Sequence, residues 1–158
     1  MPRRTAALVA LAFLLYAACD DPAGLPELRL GDGLTEIHRS LESALREPTH
    51  LVIGSQAEWE ALWPSLRTGL APWTPPEVNF DESLVLVAGY GAVPTGGYLI
   101  HIDSLVTGGT SRTAHVTRYH PRRCVTTQSE TQPVHVVAVP RAGAAIRFDD
   151  RERLYDCE

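Results

Sequence analysis

The chain has 158 residues and not one is lysine; all fourteen basic residues are arginine. Nineteen acidic residues outnumber them, for a net charge of −5. No basic cluster of the kind that grips nucleic acid appears. A negatively charged chain without a basic patch is not built to neutralise a phosphate backbone, which excludes nucleic acid as a partner. Catalytic signatures are missing as well. There is no Gly-x-Ser-x-Gly elbow, no His-Glu-x-x-His and no phosphate-cradling glycine loop. The acids of Asp149, Asp150 and Glu152 alternate with Arg151 and Arg153, which reads as a solvated face and lacks the ligand spacing of a calcium loop. The expectation is a protein that is not an enzyme and that uses no cofactor and no metal.

Long apolar runs are scarce too. Ala6–Leu15 is the longest, too short to count comfortably as a membrane span. Arg3 and Arg4 precede it as a positively charged n-region, and Tyr16-Ala17-Ala18-Cys19 follows it. Small residues directly before a cysteine resemble a bacterial lipobox, with Tyr16 in place of the usual leucine. Two readings stand: a lipoprotein signal over residues 1–18 with a diacyl anchor on Cys19, which we favour, or an ordinary signal peptide cleaved near Ala18. Either removes Arg3 and Arg4 and moves the net charge to −7. Asp20 and Asp21 leave the membrane and leaflet open. The expected location is exported and membrane-anchored, periplasmic or at the cell surface.

Only three cysteines are present. With Cys19 taken by lipid, Cys124 and Cys157 remain. Thiols in an exported domain usually pair, and no Cys-x-x-Cys suggests a redox couple. A Cys124–Cys157 bridge would tie the C-terminus to the loop after Tyr119, a closure worth about 3–4 kcal/mol on the chain-entropy model. Two free thiols are the alternative.

Residues 20–34 hold Pro22, Gly24, Pro26, Gly31 and Gly33 and read as a tether. The division is a signal over 1–18, a tether over 19–46 and a β domain over 47–158. Within the tether, Ile37, Leu41 and Leu45 fit a short helix over Thr35–Arg46 capped by Thr35, or equally a strand-like arm. His50–Ile53 reads as a strand. Ser55-Gln56-Ala57-Glu58 is a capping box. Trp59, Leu62, Trp63 and Leu66 then form one apolar stripe, predicting a helix over Gln56–Leu66 that Pro64 strains near its end. The stripe makes both tryptophans core residues rather than a stacking platform. Ala71–Val78 is a proline-rich connection. Leu84–Gly89 is apolar throughout, as a strand buried on both faces would be. Further strands are expected over 98–103, 113–119, 133–139 and 144–148, with an arginine-rich loop at 120–125; residues 151–154 either pair as an edge or only lead to Cys157. The pattern predicts a mainly β fold: a compact antiparallel sandwich or open barrel with one amphipathic helix packed on it.

The stretch around which these elements gather is Gly89–Tyr98, with Pro94-Thr95-Gly96-Gly97-Tyr98 at its centre. Proline fixes φ and the glycines permit positive φ and close backbone approach, so a tight turn joining two central strands is expected. The plain reading is a hairpin loop; the sharper one is that Pro94, Thr95, Gly96, Gly97 and Tyr98 face a partner. Taken with Leu99-Ile100 and with the later Thr126-Thr127-Gln128 and Thr131–Val137, this stretch resembles the PrcB C-terminal domain family over roughly residues 49–148. That family takes its name from a lipoprotein subunit of a surface protease complex. The resemblance therefore implies a partner protein, such as an exported protease, which this domain binds and stabilises. No family role attaches to His101 or His135. Pro94, Thr95, Gly97 and Tyr98 also match the inhibitory loop of chagasin-type cysteine-protease inhibitors, whereas Val93 and Gly96 depart from it. Inhibition through that loop is the second functional reading.

A metal enzyme is the third and weakest. If Thr107-Gly108-Gly109 is a three-residue turn, His101 and His115 face each other and could hold zinc with Asp103. A one-residue slip separates them, and an exposed pair of histidines is the default.

Overall fold

The computed structural model describes residues 25–66 and 74–157. The signal region, Cys19, Asp20 and Asp21 lie outside the described residues. Seven strands and one helix follow in the order β1 (Thr35–Ser40), β2 (Thr49–Ile53), α1 (Gln56–Leu66), β3 (Ser83–Gly89), β4 (Leu99–Gly108), β5 (Ser111–Arg123), β6 (Val134–Pro140) and β7 (Ala145–Asp156). They form a four-stranded sheet, β1-β6-β3-β2, and a three-stranded sheet, β4-β5-β7. The fold is the expected β-sandwich with one helix, and it is not a closed barrel.

The unbroken apolarity of β3 has the expected origin. Leu84, Leu86 and Ala88 face the second sheet, where they meet Ile100, Ile102, Ala114 and Val116. Val85 and Val87 point the other way and join Val134, Val136, Trp59, Trp63 and Leu66. Three layers result: α1, the four-stranded sheet and the three-stranded sheet. Burial of a large apolar side chain contributes about 1.5–3 kcal/mol, so the two apolar faces of β3 make it the axis of the domain.

The helix starts and stops where its sequence directs. Glu58 N–H donates to Ser55 Oγ at 3.4 Å, and Glu58 Oε2 reaches back to the Gly54 amide at 3.0 Å. The Trp59 indole N–H donates to the Pro76 carbonyl at 3.0 Å, which satisfies its only polar atom. Pro64 lies inside the last turn and removes one helical hydrogen bond there. The end is held from outside: His38 Nε2 donates to the Leu66 carbonyl at 2.9 Å and the Ala44 amide to the Ser65 carbonyl at 2.8 Å, supplying partners that helix ends lack.

Several expectations need correction. The strand alternative holds at Thr35–Ser40, which pairs antiparallel with β6, so the sandwich begins inside the stretch assigned to the tether. The arginine-rich segment 120–123 is strand, not loop. It is held because β7 pairs with β5 in parallel along its whole length, from Ser111↔Ala145 to Arg123↔Asp156. Residues 151–154 therefore pair as part of a 12-residue edge strand, and the sheet is not purely antiparallel. Gly89–Tyr98 is not a hairpin: β3 and β4 belong to different sheets, and the stretch is the corner where the chain crosses between them.

The β4–β5 turn is shorter than expected. Gly108 pairs with Ser111, leaving Gly109-Thr110 as a two-residue loop with Gly109 at φ 59°, a conformation suited to glycine. A bulge at Asp103 follows, so His101 pairs with Thr117 and His115 with Ser104. The two histidines do not face each other, and the zinc geometry fails. His115 instead meets Asp149 at 2.9 Å.

Candidate functional site

The crossover corner and the segment before β6 are knitted together backbone to backbone. Val93 and Thr131 exchange both amide hydrogen bonds at 2.9 Å, the Gly96 amide donates to the Thr127 carbonyl at 3.0 Å, and Thr131 Oγ1 donates to the Thr95 carbonyl at 3.1 Å. Tyr155, at the end of β7, donates its hydroxyl to the Gly97 carbonyl. The Cys124–Cys157 disulfide closes beside it, as the cysteine arithmetic anticipated. Both stretches that carried the family resemblance, Pro94–Ile100 and Thr126–Val137, thus meet in space.

The glycines serve this internal contact. Gly97 sits at φ 87°, and a Cβ there would lie 2.8 Å from Thr126 Cγ2 and 3.1 Å from Pro121 Cβ. A Cβ on Gly96 would lie 2.4 Å from Thr127 Oγ1. Gly96 is buried, Thr95, Gly97 and Tyr98 are half-buried, and Pro94 alone of the five is exposed. The loop is a packed corner and does not project. On its other side Tyr98 packs edge-on against Tyr90 and His120. Tyr90 OH lies 3.0 Å from His120 Nε2, and burial pushes the Tyr90 hydroxyl up to about 12, so it is no nucleophile at neutral pH.

Beside this corner lies an open groove of about 440 Å³. Gly96 and Gly97 form part of its wall together with Thr126, Thr127 and Tyr155, and the disulfide closes one side. The rest of its lining combines the polar Glu42, Ser129 and Thr131 with three exposed apolar side chains. Leu25, Leu41 and Val125 border it at 67%, 48% and 106% exposure. Another cavity of about 470 Å³, lined by Leu34, Thr35, Glu82 and Pro140 among others, has no exposed large apolar side chain in its lining. Apolar residues left in water around one concavity mark an interaction site better than volume does, so the groove is the candidate interface. Sequence reasoning found its glycine wall and its cysteines. It missed Leu25, Leu41 and Val125, because nothing in local pattern tells a solvent-facing leucine from a core one.

A second cluster lies between the sheets. His101 and His135 are wholly buried, with ring centroids 4.6 Å apart. His135 Nδ1 accepts the Ile102 amide at 2.9 Å, so its proton is on Nε2, which donates to Glu36 Oε2 at 3.0 Å. His101 Nε2 donates to the Arg29 carbonyl at 2.9 Å, leaving Nδ1 to accept from Arg39 at 3.2 Å. Arg39 also donates to Glu36 Oε2, at 3.1 Å through Nε. Each ring is fixed as one neutral tautomer. Burial, reinforced by Arg39, holds His135 down to about 3 and lowers His101 as well. The arrangement ties the sheets together, and the guanidinium occupies the place a cation would need. Among the described residues no three His, Cys, Asp or Glu side chains are grouped to hold a metal ion.

Residues 84–140 match a protein-family model described as PrcB C-terminal. The matched segment runs from β3 through β6 and contains both the crossover corner and the Thr126–Val137 stretch, so the resemblance to this family is borne out there. No curated protein and no solved structure matches the chain.

Proposed function

We propose that this chain is a non-enzymatic accessory subunit, exported and anchored in a membrane through a lipid on Cys19, that binds and stabilises a partner protein of a protease complex. The PrcB C-terminal match over residues 84–140 supports the association with a protease complex. The observation that carries the binding role is the groove, where Leu25, Leu41 and Val125 remain exposed around a wall shaped by Gly96 and Gly97. Pro94–Tyr98 acts as the support of that wall, with Pro94 the exposed residue of the five. Inhibition by insertion of this loop into a cleft is the weaker reading, since Gly96 is buried and hydrogen-bonded to Thr127. The test is co-purification from native membranes. An active protease complex retained by the wild-type chain and lost with Val125→Asp supports the accessory role; a retained but silenced protease favours inhibition.

A further inference from the structure

Leu25 lines the groove and lies six peptide units after Cys19. An extended chain spans at most about 3.3–3.6 Å per residue, so Leu25 stays within about 20 Å of Cys19. From Leu25 the chain leaves the groove alongside β4. The Arg29 carbonyl accepts from His101 at 2.9 Å, and the Gly31 amide donates to the Asp103 carbonyl at 2.7 Å. A Cβ on Gly31 would meet that carbonyl at 2.9 Å, so glycine permits this close approach. β4 runs the same way, from Leu99 beside the groove to the Gly109-Thr110 turn. The domain therefore has a groove end and a hairpin end, and the tether enters at the groove end.

We infer that the groove holds an extended apolar segment of a partner protein that lies at the lipid surface, next to the partner's own anchor or membrane-spanning stretch. The inference rests on the anchoring and groove readings above and adds to them where on the partner the contact falls. Leu25, Leu41 and Val125 supply apolar contact, and Gly96 and Gly97 form part of the wall beside them. A bilayer is a poorer occupant: the surface is concave, and the processed chain, at −7, is repelled by anionic headgroups. A partner surface far above the membrane is out of reach of a site held within about 20 Å of its anchor.

The experiment uses the full-length, lipidated chain in its native membranes, with a photoreactive benzophenone side chain in place of Val125. A second version carries it in place of Val106, which is 53% exposed near the hairpin end. Cross-linked peptides from position 125 are expected to map next to the partner's lipid-modified or membrane-spanning residues, and those from position 106 are not. Inserting a flexible twelve-residue Gly/Ser stretch after Gly24 adds about 20 Å of reach and is expected to lower the position-125 yield at least threefold. Cross-links from position 125 only to lipid, only to a second copy of the chain, only to membrane-remote peptides, or to nothing overturn the inference. Capture of the cross-linked partner in detergent separates the two readings. If Val125→Asp abolishes it while the peptides map far from the membrane, the groove reading survives and this inference fails. If Val125→Asp captures as well as wild type, the groove reading itself fails.

Discussion

His135 Nδ1 accepts the Ile102 amide at 2.9 Å, a side chain of one sheet holding the backbone of the other. Burial first, and then the neighbouring Arg39 guanidinium, hold the ring's proton affinity down, and a proton on Nδ1 would also cost that bond.

The pH dependence follows with a definite sign. The folded His135 titrates near about 3 and the unfolded one near about 6.5. Between these values the unfolded chain binds a proton that the folded chain does not. The contribution is present in full above pH about 6.5 and is lost as pH falls toward 3, at up to about 1.4 kcal/mol per pH unit for this ring. Denaturant unfolding at pH 7, 6 and 5 should show falling stability. His135→Asn keeps an acceptor for the Ile102 amide and should be less stable at pH 7 with a flatter slope. Stability that does not change from pH 7 to 5 in the wild type would contradict this account.

Much of the fold is legible in the sequence because it is written in local periodicity. The Trp59–Leu66 stripe gives α1, and the two-sided apolarity of Leu84–Ala88 gives the central strand. The places where local reasoning failed are settled by distant partners. Segment 120–123, with its proline and arginines, looks like a loop until β7 pairs with it. Thr35–Ser40 has helical spacing but lies on the open edge of β6, where ladder hydrogen bonds outweigh weak propensity. The histidine register depended on a turn one residue shorter and a bulge at Asp103. Of the candidate interface, the glycine wall was readable, because Pro-Thr-Gly-Gly-Tyr announces special backbone geometry; its apolar rim comes from three remote segments and was not.

The crossover corner should separate into structural and permissive positions. Gly97→Val places a β-branched side chain at φ 87° against Thr126 and Pro121 and should cost on the order of 3 kcal/mol. Thr95→Ala loses one hydroxyl that bonds only the neighbouring Gly96 carbonyl at 3.2 Å and should cost no more than about 1 kcal/mol. Gly96→Ala should destabilise and be rescued in part by Thr127→Ala, because the collision is with Thr127 Oγ1. A double-mutant cycle reads this directly; simple additivity would refute the close contact.

Replacing Cys124 and Cys157 with serine opens a closure spanning 33 residues and should lower stability by about 3–4 kcal/mol. A non-reducing mass map should contain the joined Cys124–Cys157 peptide pair, and alkylation of both thiols without prior reduction would contradict the bridge.

Cys19→Ser should release the chain from membranes, since it removes the proposed diacyl anchor. Among the described residues no helix is long and apolar enough to cross a bilayer. A variant that still sediments with membranes after a salt wash would refute lipid anchoring.

The most direct test of the groove is the affinity of the purified partner for Val125→Asp, measured beside Val106→Asp. Both residues are exposed, so neither substitution should shift the melting temperature appreciably. Only Val125 lines the groove. The account predicts at least tenfold weaker binding for Val125→Asp and wild-type binding for Val106→Asp. Equal affinities for both variants and the wild type would show that the partner binds elsewhere.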